Sequence, residues 1–330
     1  MGEQIPQVTH YIDPTVLSPA TLEVVSYFSK MRASQVAETT SKHYEVSGDN
    51  SGATIWRPDD HDPENWLVMM SPHGHGNSPH LFLRAMMAAA VYGDGRGVIV
   101  LPNNTFGEDN YKLTWRHRVE LARDHRLSHI ADKAKKVISL CTKGARHVDI
   151  LGDSQAGSMA PLVTDDTYGT DLVHVRDVPD AVPGRSARGL YKAMQSEKPE
   201  NRGRAVRDAD MPLLDDLMDS GSSRRHGLGI ITNPENLALI FGLSGGANAQ
   251  NVIKNIDGRR TDVAFTRSEG SMIQPAAYGR ALVAEVGLSI PNTWSFILGG
   301  NYGHAAAYNL RGSTESVFKA VEASSERRAS

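Results

Sequence analysis

The sequence holds a single cysteine, Cys141, among 330 residues. One thiol cannot close an internal disulfide, which excludes a secreted fold stapled by disulfide bridges. Cys141 lies in the run Val137-Ile138-Ser139-Leu140-Cys141, whose helical, apolar character points to a structural thiol rather than a nucleophile. There is no run of about 18 to 20 uninterrupted apolar residues, so no membrane span is expected. The stretch Met1-Gly2-Glu3-Gln4-Ile5-Pro6 lacks a basic region leading into an apolar one. No signal peptide is therefore expected, and a soluble cytoplasmic protein is the reading. An excess of one charge is missing too. Lys and Arg total 35 against 38 Asp and Glu, a formal net charge of -3. This balance supplies no basic footprint for nucleic acid and nothing suited to a polyanionic substrate. The Arg224-Arg225 and Arg327-Arg328 pairs are too short to be basic patches. Aromatic residues make up 6% of the chain, too few for a carbohydrate-binding platform. No feature specifies an oligomeric state.

What is present is enough apolar material for a sizeable core: 40% of the residues are hydrophobic, at a length that needs no metal or disulfide staple. Residues 1–42 read as a lead-in segment, with one helix from Pro19 to Ser34 started by Ser18 and carrying Leu22, Val25, Phe28 and Met31 at helical spacing. Two short alternating runs around Gly48-Asp49-Asn50-Ser51-Gly52 predict a hairpin over His43 to Arg57. Six apolar runs then follow: Trp66 to Ser71, Gly97 to Leu101, His147 to Leu151, Asp171 to Val175, Asp262 to Thr266 and Trp294 to Leu298. Continuous apolar runs of this length are what strands buried on both faces of a parallel sheet require. Helical runs separate them, Leu81 to Tyr92 and a long one from Arg118 to Thr142 among them. His117, His125 and His129 belong to that polar helical region and read as solvated. The alternation predicts a mostly parallel central sheet with helices on both faces, an α/β class. Residues 179–254 break the rhythm. Charged and small residues alternate there with Leu213, Leu214, Leu217, Leu237, Leu239, Ile240 and Phe241, which need burial, so the region reads as an inserted helical cap. The core is then 43–178 and 255–330.

Chemistry is concentrated in three segments at the ends of expected strands. The first is Val148-Asp149-Ile150-Leu151-Gly152-Asp153-Ser154-Gln155-Ala156-Gly157-Ser158-Met159-Ala160. A serine between a buried strand and a helix stands clear of the sheet, and the small residues Gly152, Ala156 and Gly157 allow the tight turn this needs. The second is Ser71-Pro72-His73-Gly74-His75-Gly76-Asn77-Ser78, and the third is Ile297-Leu298-Gly299-Gly300-Asn301-Tyr302-Gly303-His304-Ala305. A loop leaving the same sheet edge as the serine can bring His304 to it as a general base. His73, His75 and His80 could instead ligate zinc, although that loop holds no acidic partner.

The first segment resembles the nucleophile elbow of the α/β-hydrolase superfamily, G-x-S-x-G, with Ala156 in place of the last glycine. The resemblance covers roughly residues 43–178 and 255–320, and it implies an α/β-hydrolase fold with Ser154 as nucleophile. It also implies a His-Gly-x-Gly loop that supplies one oxyanion-hole amide, carried over to His75 or its neighbours Gly74 and Gly76. The second amide would be that of Gln155. The superfamily commonly ends its catalytic core with Gly-His, which matches His304. The acid should follow a strand between Ser154 and His304. By position Glu269 is the match, Asp177 is the alternative and Asp180 a third choice, while Asp262 starts its strand and falls at the wrong edge. The implied activity is a serine hydrolase of carboxylesterase or lipase type, acting on a small-molecule or lipid-like acyl substrate through an acyl-enzyme, with no cofactor and no metal. A non-catalytic binding or structural protein on the same scaffold is the reading from a different class, and a metal-dependent hydrolase is a third.

Overall fold

The computed structural model describes residues 9–31, 35, 43–45, 52–70, 79–101, 114–124, 128–177, 249–256, 260–271, 274, 276–300 and 310–329. Among the described residues nine strands form one sheet: β1 (Thr9–Ile12), β2 (His43–Glu45), β3 (Gly52–Trp56), β4 (Asp62–Met70), β5 (Arg96–Leu101), β6 (His147–Asp153), β7 (Thr170–Arg176), β8 (Asp262–Ser268) and β9 (Thr293–Leu298). Their spatial order is β1-β9-β8-β7-β6-β4-β5-β3-β2. Only the β2–β3 and β3–β5 pairs are antiparallel; every other pair is parallel. Each of the six apolar runs is a strand with at least one parallel neighbour, and the expected hairpin is β2–β3.

The two faces of the sheet follow from the period-two alternation of side chains along each strand. In β4, Leu67 and Met69 enter one core and Trp66, Val68 and Met70 the other; in β5, Val98 and Val100 separate in the same way from Ile99 and Leu101. The first face is covered by α1 (Pro19–Phe28), α2 (Pro79–Tyr92) and α8 (Leu310–Ala329), which contribute Val25, Phe28, Leu83, Met86 and Val317. The second is covered by α3 (Trp115–Asp124), α4 (Ser128–Cys141), α6 (Ala249–Ile256) and α7 (Ala276–Ser289), through Leu121, Val137, Ile138, Val252, Ile256 and Leu282. A short helix, α5 (Gln155–Met159), runs into a 3-10 turn over Ala160–Val163 directly after β6.

Three details differ from the sequence reading. Residues read as a lead-in contribute β1, which pairs in parallel with β9 at the sheet edge. Of its four residues only Ile12 is buried, so it has no apolar run to reveal it. The helix after it ends at Phe28 rather than Ser34. Its start is as expected, with Pro19 in the first turn and the Ser18 side chain accepting the Thr21 amide at 3.2 Å. Ser18 Oγ also donates to Glu315 of α8 at 2.8 Å. The single long helix expected from Arg118 to Thr142 is two helices, α3 and α4. The Ser128 amide at the start of α4 donates to the Glu120 carboxylate at 2.6 Å, which satisfies one of the amides that a new helix start leaves open. Residues 179–248 of the expected cap lie outside the described residues. Its last six positions, 249–254, belong to α6, which packs on the core.

One buried titratable group sits inside the sheet itself. His174 in β7 shares a 2.7 Å hydrogen bond between its Nε2 and the Thr266 hydroxyl of β8. Burial pushes its pKa down from 6.5 to about 3, so it stays neutral in the folded protein. The unfolded chain takes up a proton near pH 6.5 that the folded chain refuses until about pH 3, so His174 costs stability progressively as pH falls through that window. A His174→Gln chain, which keeps a hydrogen-bonding amide but cannot titrate, is expected to lose less stability than the wild type between pH 7 and pH 4. Urea midpoints at the two pH values measure this, and equal losses in both proteins would contradict it.

Candidate active site

β6 is buried through Asp153 and then stops abruptly at Ser154. Ser154 has φ 53° and ψ −125°, a conformation that costs a residue with a side chain on the order of 1–3 kcal/mol. Two backbone bonds hold it there. The Ser154 amide donates to the Arg176 carbonyl of β7 at 2.7 Å, and its own carbonyl accepts from the Gly157 amide at 3.0 Å. The turn is too tight for a side chain at Gly152, where a Cβ would meet the Ala156 carbonyl oxygen at 2.6 Å and the Gly157 Cα at 2.9 Å. This is the physical content of the small residues around the serine. Ser154 itself is half-buried, standing at the carboxyl end of the sheet.

The neighbouring strand ends carry the candidate acids. Asp177 directly follows β7, is buried, and has φ 45°. Its amide donates to the Thr266 carbonyl at 2.9 Å, Oδ1 accepts from the Ser268 amide at 2.7 Å, and Oδ2 is bonded to the Ser268 hydroxyl. Burial raises its pKa from 3.8 to about 6, against the hydrogen bonds from Ser268 and the Arg267 and Arg84 charges, which lower it. Glu269 follows β8 and is half-buried, with its amide bonded to the Leu298 carbonyl of β9 at 2.8 Å. Its Oε2 accepts from the Tyr11 hydroxyl of β1 at 3.2 Å. Gly270, with φ 73°, turns the chain immediately afterwards. Ser154, Asp177 and Glu269 thus stand at the carboxyl ends of three adjacent strands, β6, β7 and β8.

His304 lies in residues 301–309 between β9 and α8, and His75 lies in residues 71–78 between β4 and α2; both segments are outside the described residues. So are His73, Gly74, Gly76, Asp180 and His125. Gln155 opens α5 next to Ser154. Asp262 begins β8 at the opposite edge and pairs with Arg327 at 2.7 Å. Cys141 is half-buried, and burial raises its thiol to about 11, which suppresses the reactive thiolate. His117 serves the start of α3, its Nδ1 accepting the Thr114 amide at 3.3 Å. Among the described residues no cluster of His, Cys, Asp and Glu is placed to hold a metal ion, and no helix is long and apolar enough to cross a membrane.

Sequence reasoning missed a buried charge cluster beside the elbow. One Asp153 carboxylate oxygen is paired with Arg84 of α2, and the other with Arg176 Nε at 2.5 Å. Arg176 Nη1 continues to the Ser313 hydroxyl of α8. All four residues are buried. The available signal was a carboxylate at the end of an otherwise apolar strand, which requires a partner when it is buried. A Gly152→Ala substitution tests the elbow geometry. It is expected to cost about 1–3 kcal/mol of stability through overpacking and to displace Ser154, as read by urea denaturation; a fully stable variant would show that the turn has room to spare.

No protein-family model and no curated protein sequence matches the chain. Solved structures do resemble it. A bromoperoxidase from Bacillus anthracis superposes with a TM-score of 0.50 at 12% identity, over 85% of this chain and 100% of the other. An alpha/beta hydrolase from a Medee basin deep-sea metagenome library gives 0.49 at 14% identity, over 85% and 97% of the two chains. For the 2-hydroxy-6-oxo-6-phenylhexa-2,4-dienoate hydrolase of Rhodococcus sp. strain RHA1 the score is 0.48 at 15% identity, over 81% and 93%. Likeness at these identities is likeness of fold. With its parallel strand order, its helices on both faces and its strand–turn–helix at Ser154, this chain has the α/β-hydrolase fold.

Proposed function

We propose that the chain is a serine hydrolase of carboxylesterase or lipase type that cleaves an ester or related acyl bond in a small-molecule or lipid-like substrate. The observation that carries this reading is the backbone of Ser154: a serine held at φ 53° on a glycine-dependent turn at the carboxyl end of a buried strand. Strained backbone of this kind is retained where surrounding structure enforces it, and it concentrates at functional sites.

In the proposed mechanism Ser154 Oγ attacks the acyl carbon while His304 takes its proton, giving a tetrahedral oxyanion. The amides of His75 and Gln155 stabilise that charge, each by on the order of 3 kcal/mol. The bond to the leaving alcohol then breaks, His304 returns the proton to it, and water repeats the sequence to release the acid. Glu269 orients the imidazole and balances its positive charge. Two observations favour Glu269 over Asp177 for this role. Asp177 commits both carboxylate oxygens to Ser268, whereas Glu269 is half-buried beside β9, the strand that precedes His304 in the chain. Asp177 then fixes the turn on which Glu269 sits.

Labelling with a fluorophosphonate probe tests the reading. The wild type is expected to be modified with loss of fluoride, and Ser154→Ala not at all. Glu269→Gln should slow labelling by on the order of 10²–10⁴-fold, with Asp177→Asn the milder change. The reverse ranking would assign the acid to Asp177. A folded wild type that does not react would transfer the weight to a non-catalytic scaffold, and loss of activity with a chelator but not with Ser154→Ala would transfer it to metal chemistry.

A further inference from the structure

Asp153, Arg84, Arg176 and Ser313 take no part in the chemistry proposed above, yet they touch the elements that carry it. We propose that the buried Arg84–Asp153–Arg176 cluster, tied to α8 through Ser313, is a positioning device. It holds the Ser154 turn in its positive-φ conformation and fixes the helices that follow residues 71–78 and 301–309, which contain His75 and His304. This inference rests on the serine-hydrolase reading and names residues that govern the reaction without touching substrate.

The connectivity is specific. Asp153 is bonded to Ser154 through the chain, and its two carboxylate oxygens go to arginines from different elements. Arg84 lies in α2, the helix that begins at Pro79, directly after residues 71–78. Arg176 grips the turn twice: its carbonyl accepts the Ser154 amide at 2.7 Å and its Nε holds Asp153. The same guanidinium reaches both the hydroxyl and, at 3.4 Å, the carbonyl of Ser313. Ser313 lies in the first turn of α8, directly after residues 301–309. The residue after Arg176 is Asp177, which is bonded to Ser268, the neighbour of Glu269. An unbroken chain of hydrogen bonds and peptide links therefore joins α2, the Ser154 turn, β7, α8 and the Glu269 turn.

Stability alone is a poor account of this cluster. Apolar residues of similar volume fill such a space at least as favourably as buried ions. Here Arg84 Nε and Arg176 Nη2 are left buried with no hydrogen-bond partner among the described residues. Charge-assisted hydrogen bonds in a dry interior do supply fixed direction and distance. A nucleophile requires that accuracy, since a displacement of about 1 Å costs on the order of 10²-fold in rate.

The test separates the maximal rate of fluorophosphonate labelling from the probe concentration that gives half of it, in the full chain. Asp153→Asn, which keeps the shape and removes the charge, should lower the maximal rate by on the order of 10²-fold, leaving the half-saturating concentration unchanged. Asp153→Glu should recover part of the loss. Ser313→Ala removes only the tether to α8 and should lower the maximal rate by about tenfold, with a wild-type thermal transition; it decides the matter if Asp153→Asn does not fold. A folded variant that labels at the wild-type maximal rate, or one whose loss lies wholly in weaker probe binding, overturns the proposal while leaving the serine-hydrolase reading intact. A wild type that does not label removes both.

Discussion

A sheet covered on both faces imposes one constraint that organises everything else in this molecule: polar groups inside it need partners, and reactive ones must leave through its ends. Leu67, Val68, Met69, Val98, Ile99, Val100, Ile150 and Val173 are almost fully removed from water. Each charge inside the sheet accordingly brings its own partner. Asp149 lies 3.4 Å from Arg96, and Asp262 meets Arg327 at 2.7 Å, both near the amino ends of their strands. At the carboxyl ends stand Asp153, Ser154, Asp177 and Glu269. The same covered strands that stabilise the domain therefore gather the candidate chemistry along one edge.

That edge was legible in the sequence where a feature is local. The run His147 to Leu151 and the small residues around Ser154 sit within a few positions of each other, so strand, turn and serine could be read together. The six core strands were legible for the same reason, since burial on both faces leaves an unbroken apolar run. β1 was not, because an edge strand with one buried residue has no such run. The break between α3 and α4 was hidden by continuous helical spacing and is marked by the bond from Ser128 to Glu120.

Features that depend on distant residues were not legible. Asp153 could be seen as a charge after an apolar strand, but Arg84 and Arg176 lie 69 and 23 positions away from it. Arg84 interrupts an apolar helical run and Arg176 follows an apolar run, but no local feature shows that the two meet at one carboxylate. Asp177 and Glu269 both fitted the position of an acid after a strand. Their environments separate them: burial and two bonds to Ser268 for one, partial exposure beside β9 for the other.

The pairing of β1 with β9 has a consequence for how the protein is made. Thr9 to Ile12 align with Ser295 to Leu298, and Ser18 reaches Glu315, 297 positions away. These are contacts of very high sequence separation, whose loop closure must precede any gain from the contact. During synthesis Thr9 to Ile12 emerge 286 residues ahead of their partners in β9 and wait for them before finding a place in the sheet. Tyr11, which bonds Glu269, arrives with it. The edge of the sheet that bears the candidate acid is thus completed only once β9 has been made, after the interior strands β4 to β8 have had time to assemble.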